Sequence, residues 1–107
     1  MSLKSKYLGV NRVPFAFNSI PNTINLSSYP NPFNATTNIH IELQSSQKVQ
    51  LKIFDILGRE VETLIDENLN AGLYNVRWDA TRFAGGTYFC KLVTFQKVIT
   101  QKIVLIK

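Results

Sequence analysis

Residues 72–80 read "GLYNVRWDA". Tyr74, Val76 and Trp78 alternate with Asn75 and Arg77. A strand sends successive side chains to opposite faces, so this segment offers one apolar face and one polar face. Trp78 closes the apolar stripe and is expected at the centre of a core. Truncating a buried Trp costs about 3–5 kcal/mol, a large share of a domain stability of about 5–15 kcal/mol.

The same period runs outward in both directions. Ile39, Ile41 and Leu43 alternate with Asn38, His40 and Glu42, and Val49, Leu51 and Ile53 with Gln50 and Lys52. Tyr88, Cys90 and Leu92 share one face, as do Ile103 and Leu105 in "VITQKIVLI". The separators have turn chemistry: "SSQK", "ILGRE" with Gly58 suited to positive φ, "DENLNAG" ending on Gly72, and "DATRFAGG" running from Asp79 to Gly86. About seven short strands without a useful helical period predict an all-β fold. The expected form is a seven-stranded antiparallel sandwich of immunoglobulin or fibronectin type.

The sandwich is expected to begin near Thr23. Residues 1–22 lack regular periodicity and carry Gly9, Pro14 and Pro21. They read as a linker or the end of a preceding domain, with Val13, Phe15 and Phe17 available for docking. "MSL" at 1–3 reads as a cloning remnant. "MSLKSKYLGVNRV" has no secretory signal pattern, because Lys, Gly, Asn and Arg break its apolar core.

The 107 residues suit one domain, and 45% hydrophobic residues can fill a core without metal or disulfide. Cys90 is the only cysteine, so no internal disulfide forms. No apolar run approaches the roughly 20 residues that span a bilayer. The net charge of +5 raises the question of nucleic acid, but Lys4, Lys6 and Arg12 supply much of it. From Thr23 onward nine basic side chains face seven acidic ones, with no helix or aromatic platform beside them. The basic residues read as a solvated surface, and nucleic acid is not expected as a partner.

"SSYPNPFN", residues 27–34, precedes the strand "TTNIHIEL". Proline fixes its own φ and pushes the residue before it towards extended geometry. Tyr29 to Pro32 therefore reads as a rigid extended arm, with Tyr29 and Phe33 as two aromatic anchors.

Chemistry is sparse. His40, the only histidine, lies between Ile39 and Ile41 and should face solvent. Cys90 reads as a small core residue, with Lys91 pointing the other way. No Ser-His-Asp set assembles with specificity around one histidine. Glu60 and Glu62 read as one solvated strand face, "DEN" at 66–68 as a turn, and "GG" at 85–86 lacks the context of a phosphate cradle. "NAT" at Asn34 matches a glycosylation acceptor, a weak three-residue signal. Catalytic, metal and cofactor sites are therefore expected to be absent.

Taken together, "YPNPFNATTNIHIEL", "VQLKIFDILGREVETLIDENLNAGLYNVRWDA", "GGTYFCKL" and "QKIVLIK" resemble the type A C-terminal sorting domain of cargo for the type IX secretion system. The resemblance runs from about Thr23 to Lys107. Ala35 stands where the family usually has a third proline, which would loosen the arm slightly. Cys90 stands where an aromatic is common, and Phe83 where leucine is common. The resemblance implies a non-catalytic module, joined in cis to an upstream cargo domain and carried through the periplasm and outer membrane to the cell surface or beyond. The implied partners are the outer-membrane translocon and a sortase-like transpeptidase that removes the domain during surface attachment, without membrane insertion. The implied motif and structural positions are Tyr29, Pro30, Asn31, Pro32, Phe33, Asn34, Gly58, Gly72, Trp78, Asp79, Gly86 and Tyr88. The implied sorting residues are Lys102, Ile103, Val104, Leu105, Ile106 and Lys107. Ile103 and Leu105 should bury, Lys102 and Val104 should point outward, and a last strand at a sheet edge would offer free backbone groups. Two alternatives share the fold: a flagellar hook-cap-like assembly module, and an adhesive or carbohydrate-binding accessory domain. The carbohydrate reading needs a row of exposed aromatics on one sheet face, whereas Tyr74 and Trp78 lie on the apparent core face.

Overall fold

The computed structural model describes residues 24–107, and residues 8–11 by their backbone. The expectations for Met1–Leu3 and for Val13, Phe15 and Phe17 lie outside the described residues. The strands are β1 (Leu8–Asn11), β2 (Ile24–Tyr29), β3 (Thr36–Leu43), β4 (Gln47–Asp55), β5 (Glu60–Leu69), β6 (Gly72–Asp79), β7 (Gly86–Val93) and β8 (Val98–Leu105). They form two sheets, ordered β1-β6-β3-β2 and β5-β4-β7-β8, with every ladder antiparallel. β2 to β8 are the seven expected strands. β1 adds an eighth, pairing Leu8–Asn11 with Leu73–Val76 of β6.

The period-two stripes meet between the sheets. Ile39, Ile41, Val49, Leu51, Ile53, Tyr74, Val76, Trp78, Tyr88, Leu92, Ile103 and Leu105 are all buried, as the alternation predicts. Trp78 is fully buried, with ring centroids of Phe33, Phe83 and Tyr88 at 5.7, 5.6 and 5.5 Å. Such aromatic contacts add about 0.5–1.5 kcal/mol per pair beyond area burial. Cys90 lies in the same core, and burial pushes its thiol pKa up to about 12.

The turns follow their residues. At the β4–β5 hairpin Gly58 takes φ +83°, its N–H donates to Asp55 O at 2.9 Å, and Asp55 N–H donates to Arg59 O at 2.9 Å. A glycine in the left-handed region closes such a loop without a Cβ clash. Gly72 and Gly86 open β6 and β7 at φ +153° and +150°. Two residues beyond each, a tyrosine hydroxyl reaches back four residues: Tyr74 to Asn70 O at 2.7 Å, and Tyr88 to Ala84 O at 2.6 Å. The two G-x-Y segments are thus one local device used twice, since a buried hydroxyl needs a partner.

Two expectations change. Glu60 and Glu62 do not share a face. The β4–β5 register skips Val61 and Leu64, so Glu60 stands opposite Phe54 on the outer face and Glu62 opposite Ile53 on the inner one. Glu62 accepts the Trp78 indole N–H at 2.9 Å. A bulge inserts one residue and inverts the alternation that follows, which a strict period of two cannot foresee. Consecutive burial of Leu64 and Ile65 has the same origin.

The second change concerns residues 29–35. The chain bends through Pro30–Pro32 rather than running on as an extended arm, and the Tyr29–Pro30 and Asn31–Pro32 peptide bonds are cis. Phe33 is 2% exposed and anchors the segment, but Tyr29 is 75% exposed and anchors nothing. Tyr29 ends β2 at the sheet margin, where its side chain stands opposite Asn38 instead of facing the other sheet.

Candidate functional site

The bend at 30–35 brings its residues onto the last strand. β8 pairs with β7 through its inward backbone groups and leaves the groups of alternate residues on the open side. Asn31 and Phe33 occupy part of that side. The Asn31 side-chain amide donates from Nδ2 to Lys102 O at 2.9 Å, and its Oδ1 accepts the Val104 N–H at 3.1 Å. Phe33 continues the pattern with backbone bonds, donating its N–H to Val104 O at 2.9 Å and accepting the Ile106 N–H at 2.8 Å. Phe33 and Leu105 form a parallel bridge. The Asn31 amide, with one donor and one acceptor side by side, stands in for a strand peptide where the prolines cannot donate. The edge of β8 from Lys102 to Ile106 is therefore covered from within the chain, unlike the free edge expected from sequence.

Further bonds tie the corner to β3 and the end of β6 in the other sheet. The buried Thr37 hydroxyl donates to Pro30 O at 2.7 Å, and Ala80 N–H donates to Ala35 O at 2.7 Å. Thr36 N–H donates to Asn34 O at 3.0 Å across Ala35, whose φ is +77°. That geometry is a γ-turn with a non-glycine residue at its strained centre. Proline, held near φ −65°, could not adopt it.

The end of the chain packs against the β6–β7 loop. Lys107 Nζ donates to Thr81 O at 2.7 Å, and a Cβ on Gly85 would lie 3.3 Å from both Leu105 O and Lys107 Cβ. Asp79 shapes this loop by accepting the Thr81 N–H at 3.0 Å and its hydroxyl. Both bonds hold the Asp79 carboxyl below the usual carboxylate range.

Along β8, Ile103 and Leu105 are buried, Lys102, Ile106 and Lys107 are exposed, and Val104 is half-buried. Trp78, Asp79, Tyr88 and Gly86 gather at the same pole with 29–34. Gly58 lies at the tip of the β4–β5 hairpin, and Gly72 at the opposite end of β6. Sequence reasoning passed over Thr37 and Thr81 and read Glu62 as solvated, yet all three supply partners to this pole. Only Glu62 had a discoverable signal, since a buried indole N–H requires an acceptor.

His40 is exposed on the outer face of the first sheet, between Ser27 and Asn75. Among the described residues no three His, Cys, Asp or Glu side chains group as a metal site. No helix among them is long and apolar enough to cross a membrane. Tyr74 and Trp78 are buried and form no exposed platform.

Comparison with known proteins follows the same lines. The crystal structure of dimeric latent PorU from Porphyromonas gingivalis superposes with a TM-score of 0.64 at 18% identity, over 80% of this chain and 9% of that one. PorZ, described as an essential bacterial surface component of the type-IX secretion system of the same organism, gives a TM-score of 0.53 at 23% identity, over 78% of this chain and 12% of that one. The chain thus spans about a tenth of either protein, and at such identities the likeness is one of fold. No curated protein sequence matches the chain. The profile of the secretion system C-terminal sorting domain matches residues 27–107, from the first residue of "SSYPNPFN" to the final lysine. This chain belongs to that family, the type IX sorting tails that mark proteins for passage across the outer membrane to the cell surface or beyond.

Proposed function

We propose that the outer-membrane translocon reads the pole formed by the proline corner and the end of β8 as one composite signal. The observation that carries this reading is the hydrogen bonding of Asn31 and Phe33 to residues 102–106. It joins two segments 71 and 73 residues apart. A signal built this way exists only in the folded sandwich, so an unfolded tail would not present it. On its β8 side Lys102, Val104, Ile106 and Lys107 are the side chains a receptor can reach. The domain carries no catalysis of its own, and a sortase-like transpeptidase removes it after export, on the linker side of the corner.

The test is a fusion of the whole chain to a periplasm-targeted reporter in a host with type IX export. The unaltered fusion reaches the surface, and the released reporter has lost the mass of the tail. Lys102→Glu with Lys107→Glu, shown to melt cooperatively, lowers surface reporter strongly. Wild-type export by that folded double variant would remove the lysines from the signal. Retention of the unaltered fusion in the periplasm would refute the sorting role of the composite pole.

A further inference from the structure

The Asn31–Phe33 clasp covers only the C-terminal half of the β8 edge. Val98–Gln101 lie beyond it. The ladder to β7 uses the odd-numbered residues, so the N–H and C=O of Thr100, the C=O of Val98 and the N–H of Lys102 face the open side. Among the described residues none of these groups has a partner. Unpaired edge groups are a template for another strand, and natural edges are blunted by bulges, prolines or charged side chains, lysine above all, whose repulsion of other basic strands leaves an acidic one admissible. β8 has an unbroken register with β7 and contains no proline.

The surroundings specify what would pair there. No acidic residue follows Asp79, while Arg82, Lys91, Lys97, Lys102 and Lys107 do. Lys91 lies opposite Thr100 on the outer face of the sheet, Lys102 is two residues along, and Lys97 precedes the strand. Val98 is 56% exposed, and Ile99 packs half-buried against the core on the inner side. A strand added at this edge would therefore place one set of side chains beside lysines and the alternate set beside Ile99. We propose that the Val98–Gln101 edge of β8 receives an extended segment of a partner protein, with acidic and apolar residues alternating, which continues the sheet up to Asn31. The inference deepens the sorting reading and rests on it for where that partner resides.

Two arms test it. In the first, the isotopically labelled full chain is titrated with a capped alternating Val–Glu peptide and followed by amide NMR. Amides of residues 98–102 shift saturably. A Val–Lys twin, and a Val–Glu twin N-methylated at alternate positions, bind about tenfold more weakly or worse. Absence of shifts at 98–102, or equal binding by the N-methylated twin, overturns the inference. In the second arm, Thr100→Pro removes the outward N–H while sparing the β7 ladder, because proline is tolerated where an edge N–H faces outward. The variant melts cooperatively, and its reporter fusion exports about tenfold less than wild type, the loss expected for about tenfold weaker docking. A folded Thr100→Pro that exports normally, beside an exported wild type, refutes the edge and leaves the sorting role intact. A wild-type fusion that fails to export refutes the sorting role, and the peptide titration still decides the edge. Should Thr100→Pro fail to fold, the comparison of the plain and N-methylated peptides decides the edge alone.

Discussion

β5 and β8 are the two edges of one sheet, and they are finished in opposite ways. β5 carries Glu60, Glu62, Asp66 and Glu67 with no basic residue, and two register shifts break its ladder with β4. One shift turns Glu62 inward to the Trp78 indole. Acidic side chains, bulges and an edge residue bonded to the core all oppose further pairing. β8 is regular and basic, and half of its edge is closed by a separate segment of the same chain. One edge is made unavailable by its own residues. The other is made selective by a clasp, which leaves a defined length of strand open at a defined end.

The comparison breaks most decisively at Phe33. Phe33→Ala empties the anchor beneath the clasp, and chemical denaturation is expected to show a loss of about 3–5 kcal/mol. Amide exchange should rise first at Val104 and Ile106, and a rise spread evenly over both edges would mean that Phe33 serves only the core.

On the β5 side the largest effect falls on Glu62. Glu62→Ala strands the buried indole N–H and should cost about 1–3 kcal/mol. Glu62→Gln keeps an acceptor and should cost clearly less. Equal losses for the two variants would show that the bulge, and not the hydrogen bond, holds this edge.

Asn31→Ala removes two bonds to β8 without touching the core, for an expected loss of about 1–2 kcal/mol. Amides of 102–106 should lose protection while those of β5 stay unchanged. Asn31→Asp, which cannot donate to Lys102 O, should fall between wild type and alanine.

Ala35→Gly acts in the reverse direction. It relieves the positive φ of the γ-turn and should stabilise the clasp by about 1 kcal/mol, read as a raised melting temperature. Ala35→Pro cannot keep this backbone and should lower it.

The smallest effect is acid titration. Asp55 is held low chiefly by the Arg59 N–H, Glu60 by the Thr63 hydroxyl and then Lys52, and Asp66 by the Gln50 amide and then Lys48. Folded pKa values below the unfolded ones contribute stability that is complete above the unfolded range near pH 4. That stability disappears as pH falls through the lowered folded values. Glu60 and Asp66 are exposed and Asp55 is half-buried beside its exposed partner Arg59, so screening keeps the contribution small. Between about pH 5 and pH 2, chemical shifts in β4 and β5 should move while those of 98–105 stay flat, since no carboxylate lies on β7 or β8.

How much of this was legible beforehand differs from residue to residue. Alternation in "GLYNVRWDA" and its neighbours determined the strands, the antiparallel sandwich and the burial of every core residue expected, because side-chain direction in a strand is a local property of the backbone. Gly58 in "ILGRE" determined its turn for the same reason, and the proline corner with the closing lysine strand carried the family. Tertiary structure alone decided that Glu62 faces Trp78, since a bulge is set by how β4 and β5 register against each other. It alone decided that Tyr29 stays wet while Phe33 is buried, and that Asn31 bonds to a strand more than seventy residues away. Which groups meet across such a distance depends on how the two sheets stack and where β8 falls in their order, and no local pattern encodes that.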